Sequence, residues 1–354
     1  MFITGLGTAT PSTHYLQTEC WEAAQASPRF ALLSSRSRAL VKKVLLSNNG
    51  IVSRCLALDS LTDVFDLSPD TLHARFAQHA PALATQAAER ALQRAGMKTP
   101  DIDAVIISTC TGYLCPGLTS YVSERLGLKV DVLALDLVGQ GCGAALPNLR
   151  TAEALLKSGR AEQVLSICVE VCSAAFYLDD DPGVLVSACL FGDAAGAAVL
   201  ANRAPISGRR VEWKESSSLL NPAARDALRF EQRGGLLRNV LTPEVPTLAA
   251  QHAEKVLAAV LKKTGKSRGQ ITTWIWHAGG RDVLLALKEQ LSLDAADLCW
   301  SASVLSELGN VSSPFVYHVL ERALANGAPV GCWWVSSFGA GFSCHGALLE
   351  VEGA

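Results

Sequence analysis

The sequence predicts an α/β protein made of two similar halves packed helix against helix, and four repeats carry that expectation. Residues 102–128, a strand, loop and helix ending RLGL, resemble residues 271–293, a strand, HAGG loop and helix ending QLSL. Cys142 stands as far before Gly159 as Asn310 stands before Gly327, and each glycine closes an amphipathic helix. VLSICVEV is echoed by VGCWWVSS, and FGDAAGAAVL by FGAGFSCHGALL. A duplicated strand–helix unit brings equivalent helix N-termini together across a pseudo-twofold axis. Cys142 and Asn310 then become neighbours, with the HAGG turn at a strand end beside them.

In chain order, two helices are expected at 18–26 and 35–46. The second has a basic edge, Arg36, Arg38, Lys42 and Lys43, either a solvated face or a landing place for phosphates. An alanine-rich helix at 81–95 would carry Pro81 in its first turn, where proline is tolerated. A strand at 104–109, the loop CTGYLCPG and a helix at 118–126 follow. The apolar run 130–138 reads as a strand, and straight after it Cys142 sits between glycines. Leu146, Leu149, Ala152 and Leu156 then repeat at helical spacing up to Gly159, with Pro147 blurring the helix start. A strand at 163–171, an acidic run at 179–181, the LFGD turn and a small-residue strand at 194–200 complete this half. Pro205 and Gly208 mark a boundary within 202–210, dividing residues 1–203, which hold the cysteine, from 204–354. The second half reads as a strand at 211–216, a hairpin ending at 234–240, a helix at 246–264 and a strand at 274–276 running into HAGG. A helix at 281–291, GNVSS at 309–313, a helix at 314–326 and strands at 330–336 and 347–351 close the chain.

Composition narrows the class. With 354 residues, 49% hydrophobic and 18% charged, the chain can bury a large core. A net charge of -2 gives no general attraction to nucleic acid or to an anionic membrane. No apolar run reaches membrane-spanning length, and MFITGLGTATP lacks the basic flank and long apolar stretch of a signal peptide. The 11 cysteines form an odd set without a CxxC pair, which favours neither a disulfide framework nor a zinc site. The pairs Cys110/Cys115 and Cys168/Cys172 lack histidine partners for a metal. The cytoplasm, where thiols stay reduced, is the expected location.

Cys142, His277 and Asn310 form the candidate site. A thiol at the positive end of a helix dipole is favoured as thiolate, the form that attacks; the alternative is a buried cysteine acting as a small hydrophobe. An imidazolium at His277 would lower the thiol pKa further, unless His277 is simply a satisfied core histidine. Asn310 can donate an amide hydrogen bond to an oxyanion or enolate, or cap a helix.

Taken as an ordered set, GTATP, GQGCGAA, LFGDAAGAAV, WIWHAGG, GNVSSP and SSFGAGFS make the chain resemble the type III polyketide synthases, the chalcone and stilbene synthase family, over almost its whole length. The resemblance implies a duplicated thiolase-like fold in αβαβα layers, with Cys142, His277 and Asn310 catalytic. It implies an acyl-CoA starter and malonyl-CoA as substrates, no metal or other cofactor, and a homodimer in which the 111–117 loop reaches toward the partner. The implied substrate-binding residues are Phe191 (the gatekeeper), Cys172, Ala175, Asn239, Ser312, Gly339 and Gly341. Relative to the plant enzymes, Asn239 falls near a second gatekeeper phenylalanine, Cys172 and Ala175 replace threonines, and Cys115 replaces a methionine. SFGAG at 337–341 stands for GFGPG. These departures resemble the bacterial branch, which makes alkylpyrones, alkylresorcinols or naphthalene-type products. Small residues at Gly143, Ala144, Cys172 and Ala175 suggest a tunnel behind Cys142 for a medium or long acyl chain.

Three rivals stay in view. A ketoacyl-ACP synthase of the fatty-acid initiation type shares the triad but reads HQAN where this chain has HAGG. A thiolase would use a second cysteine, for which Cys344 is the candidate. A non-catalytic acyl-CoA-binding protein would leave Cys142 unmodified.

Overall fold

The computed structural model describes residues 1–205 and 208–353. Residues 206 and 207 of the expected 202–210 boundary lie outside them. The first half contains β1 (Phe2–Ala9), β2 (His14–Leu16), α1 (Gln17–Ala26), α2 (Pro28–Ala31), α3 (Ser35–Leu46), β3 (Ser53–Cys55) and α4 (Pro69–Ala95). It continues through β4 (Ala104–Thr109), α5 (Leu118–Leu126), β5 (Leu133–Val138), α6 (Ala145–Lys157), β6 (Gln163–Glu170), α7 (Pro182–Leu190) and β7 (Ala194–Ala201). The second half holds β8 (Arg210–Leu220), the hairpin β9 (Leu228–Arg233) and β10 (Leu236–Leu241), α8 (Val245–Thr264), β11 (Ile271–Trp276) and α9 (Arg281–Gln290). It ends with α10 (Cys299–Leu308), α11 (Phe315–Ala325), β12 (Gly331–Gly339) and β13 (Ser343–Glu352).

The strands form one nine-stranded sheet in the order β11-β12-β13-β8-β1-β7-β6-β4-β5. Reading outward from the centre, β1-β7-β6-β4 on one side matches β8-β13-β12-β11 on the other. The directions match as well. β7 is antiparallel to both β1 and β6, and β6 is parallel to β4; β13 is antiparallel to both β8 and β12, and β12 is parallel to β11. The antiparallel β1–β8 contact, Phe2 with Glu212 and Ile3 with Val211, joins the two copies, so the pseudo-twofold runs between these strands. Helices α6 and α11 touch strands of both copies and form the central layer, while α4 and α5 cover one outer face and α8 covers the other. This is the layered αβαβα arrangement of a thiolase-like fold.

Helices cover the inner strands of the sheet from both sides, which explains why those strands read as continuous apolar runs rather than alternating ones. Every residue of β7 is buried. β5, at the sheet edge, alternates half-buried and exposed residues instead. Both helices of the central layer stop at glycines in the left-handed region, Gly159 at φ 69° and Gly327 at φ 70°, a conformation that costs glycine no Cβ clash.

Helices α2, α7 and α10 were not expected, and one expected helix starts elsewhere. α4 begins at Pro69, not Pro81, and runs 27 residues. Its start is set by Ser68, whose side chain accepts the Thr71 N–H at 3.1 Å, with Pro69 at the first helical position. Pro81 therefore sits mid-helix, buried, where its missing N–H leaves the carbonyl four residues earlier without the usual bond. Burial of Phe76, Ala80, Ala84 and Ala87 against the sheet outweighs that loss. No described helix is long and apolar enough to cross a membrane.

Candidate active site

Cys142 lies in the tight turn Gly141–Gly143 between β5 and α6, 9% exposed. Gly141 has φ 58°, which favours glycine. At Gly143 a Cβ would stand 3.0 Å from the Gly339 nitrogen and 3.1 Å from its Cα, so the turn packs directly on the β12 backbone. These two glycines let the thiol emerge where the halves meet.

The partner residues come from the second half. His277 continues β11, its N–H donating to the Ser336 carbonyl at 2.9 Å. Its ring meets Phe315 edge-on at 5.5 Å between centroids, with Phe338 at 6.4 Å, and among the described residues neither ring nitrogen has a hydrogen-bond partner. Asn310 follows α10 and makes a parallel bridge to Phe191. Its Oδ1 accepts the Ser312 N–H at 2.9 Å, which fixes the amide orientation, because a backbone nitrogen can only donate. Its Nδ2 donates to the Gly279 carbonyl at 3.2 Å and keeps a second hydrogen for a ligand.

Cys142, His277, Asn310 and Phe191 line a single cavity of about 470 Å³. Its remaining walls are largely apolar, among them Leu190, Leu228, Leu241, Val245 and Phe338, and Lys43 and Arg281 also line it. The other expected substrate residues are placed elsewhere. Cys172 packs in an apolar cluster with Leu56, Leu58, Cys142, Phe176 and Phe191, and Ala175 ends the turn after β6. Asn239 borders a small cleft beside Cys142, whereas Gly339 backs the Gly143 turn and Gly341 lies against Leu220. Cys172, Ala175, Gly143 and Ala144 are not among the residues that line this cavity. Cys344, the thiolase-like candidate, is buried in β13 opposite Phe338 and stays out of the cavity.

Ser312 has a role that motif reading did not bring out. Its hydroxyl donates to the Cys142 sulfur at 3.1 Å, from a residue at φ 58°, unusual for a side-chain-bearing residue. Glu170, at the end of β6, is the group that sequence reading missed. Fully buried, it accepts from Ser313 Oγ at 2.6 Å, Thr111 Oγ1 at 2.9 Å and the Cys110 N–H at 3.0 Å. Its position inside the apolar run VLSICVEV gave no signal; only the fold assembles its donors.

Electrostatics put the pair at rest in neutral form. Burial pushes the Cys142 thiol up to about 12, and the Glu170 charge adds to this while the Ser312 hydroxyl opposes it. Burial lowers the His277 imidazole to about 4, partly offset by Asn310. The expected standing imidazolium is therefore not the resting state, because desolvation outweighs the local donors. A proton moved from sulfur to imidazole would make two charges that stabilise each other in a low-dielectric site. Such a site can hold an acyl group on sulfur and a negative oxygen against the Asn310 amide. Among the described residues no cluster of three or more His, Cys, Asp or Glu side chains could hold a metal.

Comparison with known proteins follows the same lines. Residues 12–216 match the family model FAE1/Type III polyketide synthase-like protein, and residues 218–349 match the chalcone and stilbene synthases C-terminal domain. The chain is 29% identical over 331 residues to a 3,5-dihydroxyphenylacetyl-CoA synthase of Streptomyces toyocaensis, covering 92% of this chain and 83% of that protein. It is 29% identical over 356 residues to a 1,3,6,8-tetrahydroxynaphthalene synthase of Streptomyces peucetius subsp. caesius, covering 98% and 92%. The crystal structure of PKS-I from the brown alga Ectocarpus siliculosus superposes with a TM-score of 0.90 at 25% identity, covering 98% of this chain and 97% of that one.

Proposed function

The chain belongs to the type III polyketide synthase family, acyltransferases that condense malonyl-CoA units, and from that premise we propose that it extends an acyl-CoA starter iteratively and closes the chain to an alkylpyrone, an alkylresorcinol or a related aromatic. The observation that carries this reading is the single cavity lined by Cys142, His277, Asn310 and Phe191.

In this proposal Cys142 attacks the starter thioester as His277 takes its proton, and CoA leaves. Malonyl-CoA then places its thioester oxygen between His277 and Asn310 Nδ2, with its carboxylate against the apolar face of Phe191. Loss of carbon dioxide puts negative charge on that oxygen, so donors placed there stabilise the transition state more than the ground state. The enolate carbon attacks the Cys142 thioester and expels the sulfur, which leaves the lengthened chain as a CoA thioester that reloads onto Cys142 for another round. Lys43 and Arg281, along the cavity wall, are positioned to receive CoA phosphates.

Two relatives are named for aromatic products, which supports an aromatic ring closure as the second reading. Incubation with malonyl-CoA and a ladder of acyl-CoA starters, with products and Cys142 adducts identified by mass, tests both. An acylated Cys142 and extended pyrones or aromatics are expected. An adduct on Cys344, or no adduct, would remove the proposal.

A further inference from the structure

Asn239 sits in β10 opposite Phe230, 6% exposed, and borders a cleft of about 20 Å³ shared with Gly141, Cys142, Phe191 and Ala340. Its amide orientation follows from proton counting. Ser187 Oγ donates its one proton to the Gly183 carbonyl at 2.7 Å, so toward Asn239 it can only accept. Asn239 therefore presents Nδ2 to Ser187, at 2.8 Å, and that bond ties the hairpin to α7. Its Oδ1 is left buried without a partner among the described residues. An unsatisfied buried acceptor is costly, so such an atom is retained where something else supplies the donor. The charged neighbour in the cleft does not: Arg229 is held by Asp226 at 2.9 Å and Glu231 at 2.6 Å.

We propose that Asn239 is a specificity-determining residue whose Oδ1 accepts a hydrogen bond from an enol hydroxyl of the poly-β-keto chain carried on Cys142. The inference rests on the polyketide synthase reading of the site and adds to it a polar contact for the growing chain. The cleft has room for one oxygen atom and is lined in part by Cys142, so it selects oxygen-bearing units close to the thioester. A purely alkyl chain offers it nothing. Chains that carry an enol there are held for further extension, and chains that do not are released early. Asn239 thus contributes a hydrogen-bond acceptor rather than merely the space left by a missing aromatic ring.

The test compares wild type with Asn239→Leu and Asn239→Asp, supplied with hexanoyl-CoA and malonyl-CoA. Three quantities are followed: acylation of Cys142 by peptide mass, carbon dioxide release, and the ratio of longer to shorter products. Asn239→Leu should shift that ratio about five- to tenfold toward short products, the value of one neutral hydrogen bond, and more than it changes loading or decarboxylation. Asn239→Asp keeps an acceptor, since Ser187 can turn its proton to the carboxylate, and should restore most of the ratio. Ser187→Ala, which unties the amide without removing it, should shift the ratio in the same direction by less, and serves if the leucine variant does not fold. An unchanged ratio in Asn239→Leu, an aspartate variant that behaves like leucine, or equal losses in loading and extension would overturn the proposal. A wild type that never acylates Cys142 would instead overturn the functional reading on which it rests.

Discussion

Cys142 and His277 show how burial and hydrogen bonding compete over one thiol. Desolvation holds the sulfur protonated, and the Ser312 hydroxyl at 3.1 Å pulls the other way by stabilising the thiolate. Ser312→Ala should therefore raise the thiol pKa further and slow alkylation of Cys142 by iodoacetamide about ten- to a hundredfold at neutral pH, the worth of a hydrogen bond to a charged group. An unchanged rate would show that Ser312 does not act on the sulfur. The candidate catalytic residues were legible in sequence because each sits in a local pattern with a backbone reason: glycines around Cys142, the glycine pair after His277, GNVSS around Asn310. Glu170 and the Ser312 contact were not, because the donors to Glu170 (Cys110, Thr111 and Ser313) and the partner of Ser312 (Cys142) lie far from them in sequence, and only the fold brings them together.

At the level of elements, periodicity located most helices and strands, and cap chemistry decided where they begin. α4 was misread because a proline fits a first turn so well; the serine cap at Ser68, followed by Pro69, was the stronger signal. The short helix α7, capped by Asp181 through the Gly183 and Val184 N–H groups, was hidden because its apolar residues show no stripe. The Gly141–Gly143 turn is the element on which the site depends most. Gly143→Ala would drive a Cβ against the Gly339 backbone, which cannot give as a flexible side chain could. The expected outcome is a loss of about 1–3 kcal/mol in urea unfolding together with slower acylation of Cys142, because the turn must shift. A variant as stable and as reactive as the wild type would mean that the β12 strand can retreat.

For the molecule as a whole, duplication is what builds the site: one copy supplies the thiol, the other the imidazole and the amide. Three of the four repeated strand pairs, β4/β11, β6/β12 and β7/β13, were visible as echoed motifs, while the β1/β8 pair was not. Continuity of the nine strands was not, since it rests on two residue pairs between β1 and β8. At the far edge, β5 presents Val138 at 59% exposure, and Tyr113 in the neighbouring loop is 69% exposed. An open edge strand beside exposed apolar side chains supports a proposed homodimer, so sedimentation at micromolar concentration should give twice the chain mass, against a monomer if this face is free. Burial also leaves a pH signature. His318, 7% exposed, is lowered to about 4 by desolvation. Between pH 6.5 and 4 the unfolded chain takes up a proton there that the folded chain does not, so stability is lost as pH falls. Replacing it, His318→Gln, should remove about 2 kcal/mol of the stability difference between pH 7 and pH 5, read from urea unfolding at the two pH values; an unaltered difference would contradict neutral burial. The central claim, that the two halves form one catalytic chamber, is tested most directly by Asn310→Ala. Carbon dioxide release from malonyl-CoA and acylation of Cys142 by a starter acyl-CoA are measured separately. Loading needs chiefly a nucleophilic sulfur, whereas decarboxylation builds charge on the oxygen that the Asn310 amide would hold. Decarboxylation should fall about a hundred- to a thousandfold with loading much less affected; equal loss of both steps, or of neither, would contradict the account.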